Sequence, residues 1–190
     1  MTRLLSVILT AATLLGSSSL AMADQEFNPL LQLFGGGGMG GGSGPIPRTT
    51  VSFQGNYAPG TIIVDTRERR LYLVQEGGRA LRYGIGVGRD GFRWGGVHRI
   101  TAKKEWPSWT PPAQMLRRRP DLPRHMVGGP DNPLGARAMY LGSTLYRIHG
   151  SNEPETIGQA VSSGCFRMVN DDVIDLYNRV QVGATVIVKN

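Results

Sequence analysis

A single cysteine in 190 residues excludes an intramolecular disulfide and any multi-thiolate zinc or iron-sulfur site. Neither covalent staples nor a metal cluster is therefore expected to hold the chain, and no cofactor or metal is called for. Charge is sparse as well. With 18% charged against 40% hydrophobic residues, the composition is wrong for a fully disordered chain and predicts a packed core. The apolar run at residues 4–15 falls short of the roughly 20 residues that a comfortable bilayer span needs. No internal repeat is visible, and the length fits one domain with a tail rather than two enzymes in tandem.

What is present begins with a targeting pattern. Arg3, the apolar run and Ala21-Met22-Ala23 before Asp24 predict a signal peptide over residues 1–23. No cysteine lies near the cleavage point, which argues against a lipid anchor. Loss of Arg3 takes the formal charge from +7 to +6, and the mature chain is expected to be exported, periplasmic and wall-associated. Outside the cytoplasm a lone cysteine is an intermolecular bridge, a thiol kept for chemistry, or a buried spectator.

Residues 24–56 are expected to form a tail and linker, because eight of the ten positions at 35–44 are glycine and have no side chain to bury. Residues 57–190 carry strand signals at 61–65, 70–75, 80–85, 97–103, 138–141, 144–149 and 184–189. Gly77-Gly78 reads as a hairpin turn. Residues 100–135 read as a long excursion with a short helix at 112–118, of the kind that often forms a lid or a binding wall. One amphipathic helix follows the cysteine, with Val173, Leu176, Tyr177 and Val180 on one stripe. Asn170 is its expected cap, and Asp171, Asp172 and Asp175 read as helix chemistry. The fold expected is mainly β, a sandwich or mixed sheet with a few short helices, closing a cleft around His149 and Cys165.

Those two residues carry the chemistry. His149 ends an apolar strand, and Cys165 follows 16 residues later behind Ser162-Ser163-Gly164 and just before Arg167. A thiol is mostly protonated at neutral pH, and a neighbouring imidazole can accept its proton to make the nucleophile. The amides of Gly164 and Cys165 could donate to an oxyanion. His98 and His125 are expected to be structural or solvated.

H-G-S at 149–151 followed by S-x-G-C-x-R at 162–167 resembles the signature of the L,D-transpeptidases with a YkuD-type catalytic domain. The resemblance extends over about residues 60–189 and includes the glycine-rich stretch Gly128-Gly129-Pro130-Asp131-Asn132-Pro133-Leu134-Gly135. It implies an exported enzyme in which Cys165 attacks a peptidoglycan stem peptide, expels its terminal D-alanine and passes the acyl group to a second stem, forming a 3-3 cross-link. His149 would be the base, Gly164 and Cys165 the oxyanion amides, Arg167 a partner for a substrate carboxylate, and Ser162 a support for the loop or a substrate contact. The Gly150 or Ser151 main chain could orient His149. The acceptor could instead be water or an outer-membrane protein, and carbapenems are expected inhibitors. A non-catalytic wall-binding module is the rival of another class.

Two departures stand out. Ser163 occupies the place of a second histidine in the common S-H-G-C, and Arg93-Trp94-Gly95-Gly96 stands where the family has T-P-x-G. Charge is also uneven, with fourteen basic against five acidic residues between Arg67 and Arg124. Trp94, Trp106 and Trp109 could stack on bases, yet the export signal and the lack of a nucleic-acid motif favour wall carboxylates over nucleic acid as the partner of that face.

Overall fold

The computed structural model describes residues 44–190. The expected signal peptide, the 24–34 tail and all but the last residue of the glycine-rich run lie outside the described residues. The strands are β1 (Thr49–Ser52), β2 (Ile62–Asp65), β3 (Arg70–Gln75), β4 (Arg79–Gly84), β5 (Val87–Gly88), β6 (Gly96–Glu105), β7 (Arg137–Leu141), β8 (Arg147–His149), β9 (Ala160–Ser162), β10 (Phe166–Arg167) and β11 (Thr185–Lys189). Two α-helices join them, α1 (Ala113–Arg118) and α2 (Asn170–Arg179). Nine strands form one mixed sheet in the order β1-β4-β3-β2-β11-β6-β7-β8-β10, and β5 pairs with β9 separately. The expected mainly β architecture with a mixed sheet is what the chain adopts.

The sheet curls at β6. Residues 96–99 of this strand pair with β11, whereas residues 100–105 pair with β7, and the register slips between Ile100 and Ala102. An irregularity of this kind bends a strand and raises its twist. Thr101, at the slip, reaches across to the carbonyls of Tyr140 and Gly142. One strand thereby carries the chain from a half built on β2, β3 and β4 to a half built on β7, β8 and β10.

Alternation places the core. Leu71 and Leu73 on β3, Leu81 and Tyr83 on β4, Met139 and Leu141 on β7, and Val186 and Val188 on β11 all point inward and pack as one cluster. The β3–β4 hairpin turns on Gly77 and Gly78, whose φ values of +70° and +65° are disfavoured for any residue with a Cβ. Helix α2 lays Val173, Leu176 and Val180 into the same cluster, with Tyr177 packed at its edge. Of its acidic residues, Asp172 is buried and pairs with Arg48 at 3.2 Å, while Asp175 accepts from Tyr83 Oη at 2.6 Å and pairs with Arg179 at 2.8 Å.

Two expectations are corrected. β1 lies inside the stretch read as linker, pairing antiparallel with β4 from Thr49↔Arg82 to Ser52↔Arg79. Its sequence, Thr-Thr-Val-Ser, is too short and too polar to show a period, and its pairing is supplied by β4. Asn170 does not cap α2, because Val169 occupies the cap position without a side-chain bond. Asn170 Oδ1 instead accepts the Ala136 amide at 2.9 Å, tying the helix start to the mouth of β7.

Leu176 is fully buried between α2 and the sheet, and its truncation leaves a cavity. Leu176→Ala is expected to lower the free energy of urea unfolding by about 2–5 kcal/mol. The exposed control Val182→Ala should stay within about 0.5 kcal/mol of the parent.

Candidate functional site

The site is assembled by a short parallel pairing of β8 with β10, in which Ile148 lies opposite Phe166 and His149 opposite Arg167. Ile148, Phe166 and Met168 are all buried in the core. Because successive side chains on a strand face opposite ways, Arg147 and His149 share the other face with Cys165 and Arg167. All four line one cleft of about 760 Å³. Its far wall is the excursion expected from the sequence. Trp109 and Met126 exchange two backbone hydrogen bonds of 2.8 Å, closing a loop that carries α1 and brings Met115, Arg118 and Leu122 to the cleft.

His149 is buried, and its Nδ1 lies 2.6 Å from the Gly150 carbonyl. A carbonyl can only accept, so Nδ1 carries the proton in the neutral ring and Nε2 is left with its lone pair. Burial lowers the imidazole pKa to about 3, the Gly150 hydrogen bond opposing the shift and the Arg167 and Arg147 charges adding to it. Burial also raises the Cys165 thiol above its ordinary value, partly offset by the Arg147 charge, a hydrogen bond from the Arg147 amide and the Arg167 charge. Both shifts favour a neutral thiol and a neutral imidazole in the resting protein.

The turn from β9 to β10 is held from several sides. Ser162 Oγ donates to the Cys165 carbonyl at 2.7 Å and accepts the Gly164 amide at 3.1 Å. The Gly164 carbonyl accepts from Trp94 Nε1 at 2.6 Å. Gly164 has φ +109°, and a Cβ there would run into the Tyr146 ring. On the outer side Gly86 exchanges two 2.9 Å backbone bonds with Arg167, and Arg89 donates to the Ser162 carbonyl at 3.1 Å. The segment 86–89 therefore embraces both ends of the cysteine turn.

Several expected roles change in consequence. The Gly164 amide is already committed to Ser162, so of the two expected oxyanion amides it is not a free donor. Ser162 steadies the loop. Arg167 has a resident partner, Glu153, at 2.9 Å. Gly150 supplies the carbonyl that orients His149, whereas Ser151 is buried and its Oγ accepts the Glu153 amide at 3.0 Å. Ser163 lines the cleft. His98 packs edge-on against Trp94 and His125 contacts Thr110 at 3.1 Å, both apart from the cleft lining. Tyr146 and Arg147 were not expected at the site, and Trp94 was expected only as a surface that could stack on bases. Arg147 was recoverable, since a residue two before His149 on one strand shares its face. Trp94 was not, because its contact with Gly164 spans 70 positions.

A family model described as the L,D-transpeptidase catalytic domain, YkuD, matches residues 59–188. The chain is 39% identical over 134 residues to the probable L,D-transpeptidase ErfK/SrfK of Escherichia coli K12, covering 66% of this chain and 42% of that protein. It thus spans less than half the length of this curated relative. Among solved structures, one from Brucella melitensis described as a probable carnitine operon oxidoreductase is 49% identical, with a TM-score of 0.51 and coverage of 72% of this chain and 89% of that one. L,D-transpeptidase 3 from Mycobacterium tuberculosis, solved with a faropenem-derived adduct, is 16% identical with a TM-score of 0.56, covering 68% and 60% of the two chains. At that identity the likeness is one of fold alone.

The neutral state of the thiol has a measurable signature. Iodoacetamide alkylation of Cys165, which reports thiolate, should keep rising with pH through about 9 without an earlier plateau, as expected when the thiol lies above its usual value. A plateau beginning near neutral pH, read by intact mass, would instead indicate a preformed thiolate–imidazolium pair.

Proposed function

The chain belongs to the L,D-transpeptidase catalytic-domain (YkuD) family, and from that premise we propose that it is a cysteine acyltransferase joining peptidoglycan stem peptides through 3-3 cross-links. The observation that carries the reading is the shared face of His149 and Cys165 in one cleft, with Nδ1 of the imidazole occupied by Gly150. Nε2 is thereby the only ring nitrogen able to accept a proton.

In the proposed cycle the donor's third-residue carbonyl enters beside Cys165. His149 Nε2 takes the thiol proton as the sulfur attacks, and the carbonyl π electrons move to oxygen. The Cys165 amide donates to that oxyanion. Collapse breaks the carbon–nitrogen bond, His149 returns the proton to the departing D-alanine amine, and a thioester remains. The side-chain amine of a second stem then attacks, losing its proton to His149, and the sulfur leaves and is reprotonated from the same ring. Free carboxylates of the stems suit a cleft lined by Arg89, Arg118, Arg147 and Arg167. Because Arg167 is bridged to Glu153, Arg147 is the better-placed cation beside the thiol. The pattern at residues 1–23 supports export to the periplasm, where this substrate lies.

An oxidoreductase reading, suggested by the description of the Brucella structure, finds one echo here. Gly86, Gly88 and Gly91 spell G-x-G-x-x-G. In dinucleotide-binding folds that motif turns from a strand into a helix whose N-terminus meets the pyrophosphate. Here it runs through β5 and leads on towards β6, beside the cysteine turn, so the acyl-transfer reading is preferred.

Incubation with disaccharide tetrapeptide tests the proposal. A cross-linked dimer and free D-alanine are expected from the parent and neither from Cys165→Ala, with His149→Gln lowering the rate at least a hundredfold. Tripeptide without dimer would indicate hydrolysis, and product only on adding an outer-membrane protein would indicate anchoring. Co-sedimentation with sacculi and no product would indicate a binding module.

A further inference from the structure

Both hydrogen-bonding groups of Gly164 are anchored, its amide by Ser162 and its carbonyl by the indole of Trp94 at 2.6 Å. The indole is itself fixed. It stacks on Tyr146 with ring centroids 4.3 Å apart and planes within 7°, leans on Phe166 at 5.2 Å and meets His98 edge-on at 5.0 Å. Tyr146 can approach this closely because Gly164 has no Cβ to meet its ring. The absent Cβ, the tyrosine, the indole and the carbonyl thus form one continuous contact chain ending at the nucleophile.

The chain has a directional consequence. None of the described peptide bonds is cis, so the Gly164 C=O and the Cys165 N–H lie on opposite edges of one planar unit. Holding the oxygen on the indole fixes where the Cys165 N–H points. We infer that Trp94 is a positioning residue that, through the Gly164 carbonyl, aims the Cys165 amide at the oxygen of the acyl group under attack. Preorganised donors of this kind act without reorientation during the reaction. Trp94 stands in the Arg93-Trp94-Gly95-Gly96 segment that departs from the family pattern. It braces the same turn in which Ser163 replaces a histidine. Both departures therefore bear on the turn that carries Cys165.

This inference rests on the acyl-transfer reading, and its test separates the two. Two reagents attack the same sulfur. Faropenem acylates it and passes through an oxyanion, whereas iodoacetamide alkylates it by displacement and forms none. Trp94→Phe keeps an aromatic ring for the stack and removes the N–H donor. The expected result is a fall in faropenem acylation on the order of tenfold or more, with alkylation within about twofold of the parent and KM for tetrapeptide donor little changed while kcat falls. Should Trp94→Phe fold poorly, benzothienylalanine at position 94 keeps the two-ring shape and removes only the N–H, with the same outcome expected. Equal losses in both reactions would reduce Trp94 to a packing residue, and an unchanged acylation rate would overturn the inference. A parent protein acylated by neither faropenem nor tetrapeptide would overturn the acyl-transfer reading, and the inference with it.

Discussion

The register of two short parallel strands governs the site. Ile148, Phe166 and Met168 belong on the core side, and their burial fixes which way β8 and β10 face. Moving either strand by one residue would bring Arg147, His149 or Cys165 into the hydrophobic interior and expose those apolar side chains. Hydrophobic burial on one face therefore positions the reactive groups on the other. The neighbouring segment 86–89 locks this register from outside, because Gly86 pairs with Arg167 while Arg89 reaches Ser162. The curl at β6 brings β7 alongside β8, and α2 closes the core beneath them.

Burial then sets the electrostatics. The same packing that orients His149 withdraws it from water, which penalises the imidazolium and leaves Nε2 unprotonated at ordinary pH. The thiol is pushed in the opposite direction for the same reason. A neutral thiol is protected from adventitious alkylation and oxidation, which follow thiolate character, and in the proposed cycle it loses its proton only as a substrate carbonyl is presented to the sulfur. Arg147 and Arg167 lie on the same face, where their charges offset part of the burial penalty on a thiolate and can attract carboxylates.

Much of this was legible in the chain. The alternation of Arg70 to Leu73, which breaks at the buried Val74, and the stripe running along α2 to Val180 follow from the burial of one face. Gly77-Gly78 announced its turn through a backbone geometry that other residues resist. That Cys165 and His149 line one cleft was expected from their chemistry and from resemblance to a family signature. The elements that escaped detection depend on partners distant in sequence. β1 exists because β4 offers an edge, and Asn170 forgoes its capping role because the Ala136 amide lies within reach. Trp94 illustrates the limit most clearly, since nothing local to residue 94 indicates that its indole will meet residue 164.

In the proposed cycle Cys165 carries the acyl group and His149 moves the proton. Rapid quenching during turnover of a tetrapeptide donor, followed by peptide mapping, tests it most directly. Expected is a thioester confined to the peptide containing Cys165, adding the mass of the donor less D-alanine and accumulating before cross-linked product. Product formed with no covalent intermediate, or an acyl group mapped to a residue other than Cys165, would contradict it.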